Sequence, residues 1–197
     1  MRALLRFGLL MAALAVPAGV ALADAQSDTI SIFRHAGESR AFFSTAYGYA
    51  VFPTIGKGAL GVGGAYGTGR VYAHDTPIGG ASMAQVSVGL QAGGEAYSEI
   101  IFFQDKLALD RFTGGNFEFS GDVGATAITA SASVSAGTTG ENSGASADKH
   151  MAKTQGQYTN GMAVFTVAKG GLMYNVSIAG QKFSFDAYPP GSRVAEQ

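Results

Sequence analysis

Hydrophobic positions fall into three regimes along the chain. Residues 7–16 are continuously apolar. Over residues 27–46, Ile30, Phe33, Gly37 and Ala41 recur at helical spacing, with Arg34, Glu38 and Arg40 on the wetter side. Ser27 or Asp28 can cap this stretch, which reads as one helix or two short ones. After Tyr47 the pattern becomes short apolar runs broken by Gly and Pro, as in strands.

Strands are expected over 49–52, 60–66, 70–73, 83–90 and 97–103. The breaks between them fall at Gly56-Lys57-Gly58, Gly67 to Gly69, a loop over 74–80, and Gly93-Gly94. Residues 105–112 form the other helix-like piece. Residues 117–136 alternate, with Ile128, Ala130, Ala132, Val134 and Ala136 on one face and Thr and Ser on the other, the period of a half-buried strand. Residues 137–157 are small, polar and aperiodic, a loop pattern. Strands return over 162–167, 172–178 and 182–185, and Pro189-Pro190 closes the fold.

One echo stands out. Gly48-Tyr49-Ala50-Val51-Phe52 matches Gly161-Met162-Ala163-Val164-Phe165 at four of five positions, and Lys57-Gly58 aligns with Lys169-Gly170. Either a hairpin was duplicated or two hairpins converged on one turn chemistry. Duplication would make the first and last hairpins neighbours that close the sheet and remove exposed edges.

The first 23 residues have the three parts of a secretory signal. Arg2 and Arg6 precede the apolar run, Pro17 and Gly19 break it, and Ala21-Leu22-Ala23 is a small-x-small cleavage site. The run is too short for a membrane anchor. Cleavage after Ala23 leaves 174 of 197 residues and removes two of the 13 basic residues. The net charge then moves from −1 to −3, with 11 basic against 14 acidic residues. With no Cys there is no lipid attachment of the lipoprotein type, no disulfide framework and no thiolate metal site. A periplasmic or secreted protein is expected.

Composition and motifs exclude more than they assign. The charge balance argues against nucleic acid as a partner. Gly56-Lys57-Gly58-Ala59-Leu60-Gly61 fits a dinucleotide fingerprint, but Val62 to Gly67, the residues next in the chain, make a poor helix to receive a pyrophosphate. His35, His74 and His150 have no metal-ligand spacing. Glu95, Tyr97 and Glu99 share a strand face, but the two carboxylates stand about 13 Å apart, too far for glycoside chemistry. Ile101 and Phe103 continue that face toward the core, so Glu99 needs a partner, for which Lys57, Lys169 and Arg111 are candidates. No nucleophile motif is present. A non-catalytic protein without metal or cofactor is expected.

Several motifs in order resemble one family. They are Gly48 to Pro53 with Lys57-Gly58 and Gly61 to Gly69, then Tyr97 to Phe103, Leu109-Asp110-Arg111-Phe112, and Gly115 to Phe119. Gly161 to Phe165 with Lys169 to Leu172, and Gly180 to Phe183, complete the set. Together they resemble the SYLF domain, the lipid-binding and actin-binding domain of endocytic adaptors, over residues 27–188. The resemblance implies binding to phospholipid or a membrane surface through an amphipathic N-terminal segment and basic residues. Export argues against actin as a partner here.

The expected fold is α+β. One domain over 24–188 has an N-terminal helix, a mainly antiparallel, curved, barrel-like sheet and one short further helix; 189–197 form a tail. The expected function is non-catalytic lipid binding in a bacterial cell envelope. The alternatives are a carrier of a hydrophobic small molecule and a structural or interaction protein. For lipid contact, Phe33, Phe42 and Phe43 would enter the interface and Arg34 and Arg40 would meet phosphates. Lys57 and Lys169, at paired turns, are further headgroup candidates. Each Phe contributes about 1.5–3 kcal/mol when fully buried.

Overall fold

A computed structural model describes residues 18–119, 125–128, 156–169 and 178–189. Residues 1–17 of the signal segment expected over 1–23 lie outside the described residues. So do the expected strands over 129–136 and 172–177, residues 137–155 of the expected loop, and the tail from 190.

Three helices open the chain: α1 (Ala18–His35), α2 (Gly37–Arg40) and α3 (Phe42–Thr45). One helix or two short ones were expected over 27–46; three are present, and α1 starts earlier, running through Ala21, Leu22 and Ala23, which favour a helix. The joint at Ala36 is held by side chains. Ser39 Oγ donates to the Phe33 carbonyl at 2.6 Å, and the Arg40 guanidinium donates to the Arg34 and His35 carbonyls at 3.3 and 3.4 Å. These bonds satisfy carbonyls that the end of α1 leaves open.

The sheet is built on one long hairpin, β1 (Gly48–Ala73) with β2 (Thr76–Phe103). Its turn is just His74 and Asp75, with φ of 48° and 61°. Two positive φ values are what a tight hairpin turn requires. The loop expected over 74–80 is therefore strand from Thr76 onward. The breaks expected at Gly56 to Gly58 and Gly93-Gly94 are also ladder, with Lys57 opposite Glu95 and Gly58 opposite Gly94.

Glycine here serves close approach rather than turning. β1 has register shifts after Phe52, Leu60 and Val71 and curls back on itself, so its end packs on its beginning. A Cβ at Gly69 would run into the Val51 carbonyl oxygen and lie 2.6 Å from the Phe52 ring. Gly69→Ala is expected to cost about 1–3 kcal/mol through overpacking, read as a lower urea midpoint.

After α4 (Lys106–Thr113) come β3 (Phe117–Glu118), β4 (Ala125–Ile128), β5 (Met162–Lys169) and β6 (Lys182–Ala187). The Asp105 carboxylate caps α4, accepting from the Ala108 amide at 2.8 Å. The described strands form one curled, mainly antiparallel sheet; β4 on β5 is the parallel pair. This is the α+β, half-barrel architecture expected.

The echoed segments are close, though not paired with each other. Both flank the end of β2: Ile101 faces Ala50 on one side and Val164 on the other. The register is offset by one residue relative to the sequence match. Phe52 therefore points into the inner core and Phe165 to the opposite face.

Alternation along β2 divides the core. Tyr97, Ile101 and Phe103 face inward with Ala50, Phe52, Met83, Phe112 and Phe183. Ile100 and Phe102 face outward with Tyr49, Val51, Ala163, Phe165 and Val167, and α1 to α3 cover that second face.

Candidate functional site

The cover meets the hairpin turn at one polar cluster. The Arg34 guanidinium, in the last turn of α1, donates to Asp75 Oδ1 at 2.8 Å. Tyr49 Oη donates to the same oxygen at 2.8 Å. Asp75 sits in the left-handed turn that joins β1 to β2. Arg34 also lies 4.6 Å above the Phe43 ring, a cation–π distance. Burial, then Asp75, pushes the Tyr49 phenol well above its ordinary value, so it remains a hydrogen donor. Arg34 and Asp75 are themselves exposed, at 46% and 62% of their side chains. Their pairing is worth at most about 1 kcal/mol.

The five N-terminal candidates thus form one cover with two sides. Phe33 is completely buried on the sheet. Phe42 and Phe43 are half-buried, each against Phe102, with Phe42 also on Phe165 and Tyr158 and Phe43 on Tyr49. These rings face the protein, where the sheet offers an apolar surface at helical reach. Arg34 and Arg40 lie on the exposed side, with Ile32 partly exposed nearby.

Lys57 is not at a turn. Lys57 lies inside β1 and Lys169 ends β5, donating to Thr54 Oγ1 at 2.9 Å. They flank β2 opposite Glu95 and Ala96, successive positions that belong to opposite faces. They do not form one surface.

Glu99 is fully buried, as its strand face implied, but none of the three expected cations reaches it. Arg111 instead donates to the Asn160 carbonyl. The partner is Gln181, whose Nε2 donates to Glu99 Oε2 at 3.0 Å and to Tyr97 Oη at 3.1 Å. Glu99 Oε1 and Gln181 Oε1 have no hydrogen-bond partner among the described residues. Burial raises the Glu99 carboxyl from 4.5 to about 7. No described group of three or more His, Cys, Asp or Glu could hold a metal ion.

Sequence reasoning missed Asp75, Tyr49 and Gln181. A two-residue His-Asp turn between strand patterns was the available signal for Asp75. Nothing local marks Gln181.

Similarity to known proteins bears on these features. Residues 84–188 match the family model described as Ysc84, Las17-binding protein actin regulator. That region carries Glu99, Gln181 and Lys169, but not the α1 to α3 cover. Among curated proteins, Beta cell expansion factor A of Aeromonas veronii is 28% identical over 164 residues, 82% of this chain and 54% of the relative. The chain thus spans about half the length of the relative it matches.

Proposed function

The chain belongs to the Ysc84, or SYLF, family, a family of binding domains, and from that premise we propose that it is a non-catalytic lipid-binding protein of a bacterial cell envelope. The observation that carries this reading is the cover formed by α1 to α3. It joins half-buried Phe42 and Phe43 to exposed Arg34 and Arg40 on one short amphipathic unit. Such a unit suits a bilayer interface, with rings at the acyl boundary and guanidinium groups at phosphates.

Export fits the same unit. Cleavage after Ala23 would shorten α1 but keep Thr29, Phe33 and Ala36, which are buried in the structure. The contacts that seat the cover therefore survive processing. The proposed boundaries remain a signal over 1–23 and one domain over 24–188. A periplasmic or secreted location puts actin out of reach.

Co-sedimentation with vesicles tests the reading. The protein is expected to pellet with phosphatidylglycerol-containing vesicles and to be released by salt. Arg40→Gln is expected to weaken binding about five-fold, the effect of about 1 kcal/mol for one cation at an anionic surface. Failure to bind any mixture of bacterial phospholipids rejects the proposal.

A further inference from the structure

One polar pair that ties the cover to the hairpin turn is a pair a bilayer would compete for. Arg34 meets the Asp75 carboxylate at 2.8 Å and the Phe43 ring at 4.6 Å, with the Tyr49 phenol beside it. The Asp75 contact exists only while α1 lies against the hairpin turn, and the Phe43 contact joins α1 to α3 within the cover. Asp75 offers Arg34 one carboxylate oxygen, in the geometry in which a phosphate oxygen would also meet a guanidinium. The pair is exposed enough for a phosphate to reach. Asp75 would also not be stranded by exchange, because Tyr49 Oη donates to that same oxygen from the sheet side. Beside the cluster, the Arg40 guanidinium donates to the Arg34 and His35 carbonyls and adds a second cation.

We propose that Asp75 is an internal mimic of a lipid phosphate. It occupies Arg34 in the docked state, and an anionic bilayer that takes over Arg34 loosens the α1 to α3 cover. Phe43 then loses the cation seated on its ring, and Phe42 and Phe43 become free to enter the interface. This inference rests on the lipid-binding reading above and names what regulates that surface.

Three substitutions in the full chain test it against vesicles of phosphatidylglycerol in phosphatidylcholine. Asp75→Asn removes the charge, and Asn tolerates the left-handed turn. Asp75→Gly removes the side chain at a turn position that glycine favours, so a folding defect of one variant does not decide the result. Asp110→Asn makes the same change of charge at the Lys106 pair on α4. Both Asp75 variants are expected to bind about five-fold more tightly than the wild type, the scale of one exposed ion pair. Their α1 to α3 amides are expected to exchange faster without lipid, and Asp110→Asn to match the wild type.

Equal binding by wild type and Asp75 variants overturns the mimic while leaving lipid binding intact. A gain shared by Asp110→Asn also overturns it, because net charge then explains the effect. No binding by any of the proteins removes the lipid-binding reading and the mimic together.

Discussion

A Glu99→Gln protein is expected to be about 3 kcal/mol more stable than the wild type at pH 8 and equal to it near pH 4. The folded carboxyl titrates at about 7 instead of 4.5, chiefly because burial penalises its charge; the Gln181 hydrogen bond pulls weakly the other way. The folded chain therefore keeps a proton that the unfolded chain releases above 4.5. Stability from this group is full below 4.5, declines as pH rises, and is lost once pH passes the folded value near 7. At about 1.4 kcal/mol for each pH unit, that interval amounts to about 3 kcal/mol.

The groups facing Glu99 do not supply a compensating charge. Gln181 donates one hydrogen bond, and Tyr97 is a phenol whose own ionisation is pushed up by burial and then by Glu99. Phe52 and Thr166 flank it across the sheet. A Gln at 99 keeps the size and hydrogen-bonding capacity without the ionisation. Urea midpoints measured from pH 4 to 8 decide the matter. Wild-type and variant curves that run parallel would show that Glu99 does not titrate in the folded core.

The inward face of β2 was legible because period-two alternation is a local property. Tyr97, Glu99, Ile101 and Phe103 do share one side, and Glu99 is buried where the pattern placed it. The α4 helix was legible too, since residues 105–112 read as helix-like, and the structure adds Asp105 as its cap. The glycines were misread because sequence shows a missing side chain without showing what fills the space. At Gly69 the filler is the start of the same strand, Val51 and Phe52. The partner of Glu99 was not legible, since Gln181 lies 82 residues away. The cover was legible as an amphipathic helix, but its period cannot say whether an apolar stripe meets a sheet or a bilayer. Phe33 is wholly committed to the sheet, whereas Phe42 and Phe43 are half-buried, divided between the sheet and solvent.

That division makes Phe102 the residue on which the cover depends. Its ring lies 5.5 Å from Phe42, 4.8 Å from Phe43, 6.1 Å from Tyr49 and 5.8 Å from Phe165, with no exposure to water. Phe102→Ala is expected to cost about 3–5 kcal/mol, from lost burial and from the cavity left beneath α3. Phe103→Ala is the informative partner. It removes the same ring one residue along, from the inner core, where Phe103 packs on Phe112 at 5.0 Å. A similar loss of stability is expected, with a different distribution. In native-state hydrogen exchange, Phe102→Ala should release the amides of α1 to α3 ahead of global unfolding, because both anchoring rings lose their seat. Phe103→Ala should leave those amides protected and loosen α4 instead. If both variants release α1 to α3 alike, the two faces of β2 form one cooperative core, and the cover is no separate moving part.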